Sequence, residues 1–129
     1  RDPLKVIASA GNEPNISWVY IKKFIPEINL DDPKIVKGAK YWYYWNLICE
    51  KKSHWSYKIE DLENHVDKMG SLLKVTLKSE ILKNIPKSIN TRGYKDRYTW
   101  DILKESLDQD LFDNIVGMAK RYGYDTNVF

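Results

Sequence analysis

The stretch DPKIVKGAKYWYYWNLICEKK, residues 32–52, has five consecutive aromatic side chains at 41–45 and decides the fold. Asp31-Asp32-Pro33 favours a helix start, because carboxylates complement the positive end of a helix and proline is tolerated in its first turn. No turn signal follows before the end of the stretch, so the pattern predicts one helix over residues 33–52. The propensity of the aromatic residues leaves a β-strand over 41–48 as the alternative.

Residues three or four apart share one face of a helix, so helical phase sorts these side chains into two sets. The inner set is expected to pack in the core: Val36, Ala39, Trp42, Tyr43, Asn46, Leu47 and Cys49. The outer set interleaves lysine with tyrosine: Lys34, Lys37, Tyr41, Tyr44, Ile48 and Lys51, with Lys40 at its edge. Trp45 lies at the boundary. Because Gly38 and Ala39 are small, we expect a neighbouring helix to approach closely there.

The composition is that of an ordered globular chain with a surplus of rings. Of its 129 residues 43% are apolar, 30% are charged and 13% are aromatic, which excludes a disordered chain. Aromatic side chains beyond the need of a small core indicate a binding surface. The net charge is +3, and it is unevenly distributed: residues 71–98 carry seven Lys/Arg against two Asp/Glu, whereas residues 59–70 carry one against four. This alternation favours a surface with two signs of charge.

Apolar periodicity predicts further helices along the chain. A helix over 16–25 carries apolar residues around most of its circumference, so we expect it to be largely buried. A short helix over 59–69 is expected to end at Gly70. Residues 72–85 are predicted to form a helix, or a strand that leads into one. The clearest stripe predicts a long helix over 100–122, capped by Thr99.

These segments predict a mostly α-helical, compact single-domain bundle of about five helices, with one short N-terminal or central β-strand as an option. Residues 1–14 are expected to form an arm or an edge strand, because residues 4–8 have a β-like composition and a turn follows. Residues 15–129 are then the single helical domain. The chain begins with Arg1 and not with Met, so we expect it to belong to a longer protein.

No pattern of residues indicates catalysis. Cys49 is the one cysteine, and His54 and His65 are the two histidines; neither histidine has a nucleophile at a spacing that predicts contact. There is no glycine-rich phosphate loop and no metal-ligand spacing. We therefore expect a protein that is not an enzyme and that needs no cofactor or metal. A single cysteine and the absence of a long apolar run predict an intracellular, reducing compartment (cytoplasm or nucleus) and no membrane partner.

Basic and aromatic residues alternate at two places, a combination that suits nucleic acid. Lysine and arginine displace counterions from phosphates, and exposed rings stack on bases. The first place is a loop before the last helix, with Arg92, Tyr94, Lys95, Arg97 and Tyr98. The second is the outer face of the helix over 33–52, with Lys34, Lys37, Lys40, Tyr41 and Tyr44. The leading hypothesis is a module that binds DNA or RNA through both.

The competing hypothesis is a protein-docking or assembly domain of a larger complex. Tyrosine, tryptophan and arginine are also enriched at the hot spots of protein interfaces, so the same rings fit a protein partner. Segments of alternating charge suit self-association as well. A third interpretation is structural: lysines that flank buried rings keep a helix soluble, and a tyrosine-rich loop can fold back onto its own core.

Overall fold

The chain is mostly helical. The computed structural model describes residues 1–85 and 97–127, apart from the side chain of residue 81. Its helices are α1 (Pro3–Gly11), α2 (Asn15–Ile21), α3 (Lys34–Lys52), a 3₁₀ helix (Ile59–His65), α4 (Val66–Leu73), α5 (Glu80–Lys83), α6 (Trp100–Ser106) and α7 (Gln109–Arg121). Within these ranges there is no strand, so the prediction of a mostly α-helical fold is confirmed. The described residues fall into two compact units, 1–56 with 97–127, and 57–85.

Residues 3–11 form a helix, so the prediction of an arm or edge strand at the N-terminus is wrong. The Asp2 side chain caps α1 by accepting a hydrogen bond from the Lys5 backbone amide at 3.3 Å, and Pro3 occupies the first turn. Both features stabilise a helix start. Ile7 points into the core and is fully buried. The β-like composition of residues 4–8 was overridden by this cap and by packing.

Helix α3 begins one residue later than predicted and ends at the predicted residue. Its N-cap residue is Pro33, and no side chain caps it. Asp32 does not cap the amides; its carboxylate accepts a hydrogen bond from the Asn29 amide at 3.1 Å and pairs with Lys40 Nζ at 2.7 Å. The predicted close approach at Gly38 is confirmed, because a β-carbon there would overlap the Ile7 carbonyl oxygen of α1.

Two apolar clusters cover α3 from different sides. The first contains its inner face and the helices around it: Ile7, Ala39, Trp42, Trp100, Leu103, Leu111, Phe112, Ile115, Met118 and Ala119. The second is smaller and contains Ala10, Trp18, Ile25 and Ile28, with Tyr41, Tyr44 and Ile48 of α3 packed against it. The outer face of α3 is therefore partly covered, and a second core exists where the sequence predicted solvent.

Helix α2 is shorter and more exposed than predicted. It ends at Ile21, and a series of turns carries the chain to Ile25. Trp18 and Ile25 are buried, but Ile16, Tyr20 and Phe24 are exposed. The expectation of a largely buried helix over 16–25 is wrong, because the described residues bury mainly the side of α2 that carries Trp18 and packs with α3.

The last predicted helix is two helices. Leu107 has an extended backbone, and Asp108 caps α7 by accepting a hydrogen bond from the Leu111 amide at 2.8 Å. An aspartate at this position satisfies an amide that the start of a helix leaves free, so it favours a new start over continuation. The apolar stripe continues across the break, since Leu103, Leu111, Ile115 and Met118 all reach the first core.

The unit of residues 57–85 has little core of its own. Val66 and Gly70 are buried, whereas Leu72 and Leu73 are exposed. Gly70 lies inside α4 and does not end it as predicted; the helix ends at Leu73, followed by a left-handed residue at position 74. Residues 72–85 were predicted to form a helix, or a strand that leads into one. Leu72 and Leu73 are the last residues of α4 and Glu80–Lys83 form α5, and residues 74–79 between them form neither a helix nor a strand.

A hydrogen bond links Tyr122, at the end of α7, to α3. Because tyrosine can ionise, we expect this bond to make the stability of the fold depend on pH. The Tyr122 hydroxyl donates a hydrogen bond to Glu50 Oε1 at 2.6 Å. Burial and this bond to a carboxylate hold the pKa of Tyr122 above its usual value near 10. Because the pKa of Tyr122 is higher in the folded chain than in the unfolded chain, the stabilisation from this bond is fully present below about pH 10. Above about pH 10 Tyr122 ionises more easily in the unfolded chain, so the stabilisation falls as the pH rises.

We expect the stability difference between the wild-type chain and Tyr122→Phe to shrink between about pH 9.5 and pH 11.5. The difference isolates Tyr122, because the other tyrosines and the lysines titrate in both proteins. Urea unfolding followed by circular dichroism at four pH values measures it. A difference that stays constant over this range would contradict the role of the Tyr122–Glu50 bond.

Candidate functional site

The outer face of α3 does not present its lysines together. Lys37 is only 7% exposed; its ammonium donates a hydrogen bond to the Leu30 carbonyl oxygen at 3.1 Å and lies 5.6 Å from the ring centre of Trp18. Lys40 is committed to its pair with Asp32. Lys34 is exposed, and its ammonium donates to Asn12 Oδ1 at 3.2 Å. The lysine–tyrosine face predicted on α3 therefore does not present Lys34, Lys37 and Lys40 as three unpartnered ammonium groups.

Tyr41 and Tyr44 are half-buried on the same side of α3. The Tyr41 ring meets Trp18 edge-on, with 6.2 Å between ring centres, and stacks on Trp45 at 5.8 Å. Burial is the main cause that raises the pKa of both phenols. Tyr44 packs against the second cluster. These rings serve mainly as packing surface, and Trp45 is the exposed member of the run.

The basic loop is described only at its end. Arg92, Tyr94 and Lys95 lie outside the described residues, so their placement stays a prediction from the sequence. Arg97 is exposed, and Tyr98 is half-buried against the first core. These two residues lead directly into Thr99, which caps α6 by accepting a hydrogen bond from the Ile102 amide at 3.3 Å. The cap fixes the chain direction where the loop joins the helix.

Arg97 and Tyr98 line an open cleft with the start of α1. The cleft has a volume of about 470 Å³, and we call it the N-terminal cleft; it is lined by Asp2, Leu4, Lys5, Ala8, Arg97 and Tyr98. Leu4 and Ala8 are one helical turn apart, so they share one side of α1. The cleft therefore combines an apolar side, a phenol ring and two cations.

The charges of the N-terminal cleft are of both signs. The Lys5 ammonium lies 3.8 Å from an Asp2 carboxylate oxygen and is itself largely exposed. Such an exposed and long ion pair contributes little, roughly 0–1 kcal/mol, so Lys5 can turn towards a ligand. Asp2 repels an anion near the cap of α1, and an anionic ligand would therefore lie between Lys5 and Arg97.

Lys5 was not among the residues that the sequence predicted for a binding site. Residues 1–14 were expected to form an arm or an edge strand, and neither gives a reason to bring Lys5 near the loop. The signal that could have found it was the pair Asp2-Pro3, which repeats the Asp32-Pro33 pair used to predict the start of α3. A helical start at residue 3 places Lys5 in the first turn of a packed helix.

Neither a metal site nor a membrane-spanning helix is found in the described part of the chain. Residues 1–85 and 97–127 contain no group of three histidine, cysteine, aspartate or glutamate side chains that could hold a metal ion. Cys49 is exposed and does not lie in the core as predicted. None of the helices in these ranges has both the length and the hydropathy that crossing a bilayer requires.

The protein is thus a mostly helical chain whose N-terminal cleft carries two cations and an aromatic ring. Comparisons with protein-family models, with curated proteins and with solved structures found no match to this chain.

Proposed function

We propose that the chain is a nucleic-acid-binding module whose contact site is the N-terminal cleft. The observation that supports this most is the convergence of Lys5, Arg97 and Tyr98 on one cavity, although α1 and the loop are far apart in the sequence. Two cations neutralise phosphates, and a ring at the edge of the cavity offers a face for a base or a sugar.

The size of the cleft limits what enters it. Cavities of about 300–1,000 Å³ hold small ligands, so the N-terminal cleft accommodates about one nucleotide of a strand and not a duplex groove. Tyr98 is packed against the first core on one side, which holds the ring in place before a ligand arrives. Because a base must be unstacked to reach such a cleft, single-stranded nucleic acid fits better than a duplex.

The outer face of α3 contributes less than the sequence predicted. Lys37 is buried and Lys40 is paired, so neither can approach a phosphate without breaking contacts of the fold. Arg92, Tyr94 and Lys95 precede Arg97 in the chain, and we propose that they extend the contact beyond the cleft.

The test is a titration of fluorescent single- and double-stranded DNA and RNA at 50 mM and 200 mM salt. We expect binding that weakens as salt rises and favours single strands. The double variant Lys5→Ala/Arg97→Ala removes two phosphate contacts, so the slope of log K against log salt should fall by roughly 1.4 for a single strand.

A matched control is Lys52→Ala/Lys120→Ala, which removes two exposed cations that lie on α3 and α7 and not in the cleft. This control lowers the net charge by the same amount as the first variant but removes no cation of the cleft. It should therefore change the salt slope much less. No binding at low salt, binding that ignores salt, or equal slopes for the two double variants would each contradict the proposal.

A further inference from the structure

Helix α2 and the turn after it carry a row of apolar side chains that are about half to three-quarters exposed. The row, here called the α2 ridge, consists of Ile16, Val19, Tyr20 and Phe24. Ile16 is 75% exposed, Tyr20 is 61% exposed and Phe24 is 51% exposed. Single exposed apolar residues are common on protein surfaces, but a contiguous row marks an interaction site.

Buried side chains on the opposite side support the α2 ridge. Trp18 and Ile25 on the opposite side are each 1% exposed, and the Trp18 indole N–H donates to the Glu13 carbonyl oxygen at 3.1 Å. Within the ridge, the rings of Tyr20 and Phe24 meet edge-on with 5.3 Å between centres. The ridge is therefore formed before any partner arrives, which lowers the entropic cost of docking.

Two lysines accompany the ridge. Lys22 and Lys23 are exposed, and Lys23 Nζ lies 5.9 Å from the ring centre of Tyr20. Among the described residues, neither lysine forms an ion pair with a carboxylate. An apolar row beside two uncompensated cations is complementary to an apolar row beside carboxylates.

We propose that the α2 ridge docks an acidic amphipathic helix of another protein, a function beyond nucleic-acid binding and at a separate surface. Residues 16, 19 and 20 have the spacing with which one helix packs its side chains against another. A partner helix with apolar residues at the same spacing and glutamate or aspartate beside them would bury the ridge and pair with both lysines.

Two other occupants fit less well. Nucleic acid would leave Ile16 and Val19 without a contact, since aliphatic side chains do not stack on bases. The rings of Tyr20 and Phe24 meet edge-on, so they leave no space for a base between them. In a symmetric contact with a second copy, the same patch meets itself, so Lys22 and Lys23 would face their own copies across the interface.

The experiment uses two labelled synthetic helices that share one leucine stripe at i, i+3, i+4 and i+7 and differ only in flanking glutamates or flanking lysines. Fluorescence anisotropy with the full chain should give a roughly micromolar Kd for the acidic peptide, as expected for a small interface. The basic peptide should bind about tenfold more weakly. Tyr20→Ser/Phe24→Ser should abolish binding of the acidic peptide while leaving the circular dichroism spectrum unchanged.

Reversing the charge of Lys22 and Lys23 distinguishes specific docking from nonspecific association. In Lys22→Glu/Lys23→Glu the preference should invert, so that the basic peptide binds more tightly. Equal binding of both peptides, or a preference that does not invert, would overturn the proposal. Three results would overturn it in favour of another occupant: a dimer in light scattering that Tyr20→Ser/Phe24→Ser abolishes, ridge-dependent binding to phosphatidylcholine–phosphatidylserine vesicles, or ridge-dependent binding of single-stranded DNA without peptide binding.

Discussion

Replacing Trp18 by alanine is expected to lower the free energy of unfolding by about 3–5 kcal/mol, the range for deleting a large buried aromatic side chain. Trp18 is the largest fully buried side chain in the chain's described residues. It joins α2 to α3, because its ring meets Tyr41 edge-on and lies below the Lys37 ammonium. The variant also leaves the Glu13 carbonyl oxygen without the indole donor.

The matched control for this variant is Tyr20→Ala on the same helix. Tyr20 faces solvent, so its loss should change the free energy of unfolding by no more than about 0.5 kcal/mol. Urea unfolding followed by far-ultraviolet circular dichroism compares the two. Similar losses in both variants would show that the second core does not form around Trp18.

Replacing Gly38 by alanine is expected to lower the free energy of unfolding by about 1–3 kcal/mol, because the added methyl group overpacks the contact between α1 and α3. The new β-carbon would overlap the Ile7 carbonyl oxygen, and a backbone atom cannot rotate away as a side chain can. Helix α1 would have to move outward, which would loosen Ile7 in the first core.

Gly117→Ala is the control, and we expect it to have the opposite sign. Gly117 lies inside α7, and a β-carbon there would meet no atom within 4 Å. Alanine should therefore raise the free energy of unfolding by about 0.5–1 kcal/mol through helix propensity alone. A gain in both variants would contradict the close approach of α1 to α3; the shift of the urea midpoint measures both.

Local signals predicted the helices that have strong caps and regular apolar spacing. The Asp-Pro pair before α3 placed its start to within one residue, and the stripe from Leu103 to Met118 identified the core face of α6 and α7. The same pair stands before α1, where the β-like composition of residues 4–8 competes with it. The break at Leu107 also has a local cause, the aspartate cap that follows, so the sequence holds a local signal for both features.

The candidate site was predicted only in part. Arg97 and Tyr98, which the sequence predicted for a site, both line the N-terminal cleft, but Lys5 was absent from the prediction and Lys37 is buried. Helical phase shows which residues share a face of α3. It does not show how many faces are covered, because that depends on where residues 15–30 pack.

The sequence by itself determined the helical class, the bounds of α3 and the division of its aromatic run, since caps, spacing and propensity act between residues a few positions apart. Tertiary structure alone decided that a second core covers Tyr41 and Tyr44, that the α2 ridge stays exposed, and that Lys5 and Arg97 share a cleft. The physical reason is that burial depends on contacts between segments far apart in the chain, and each segment has several faces that could make them.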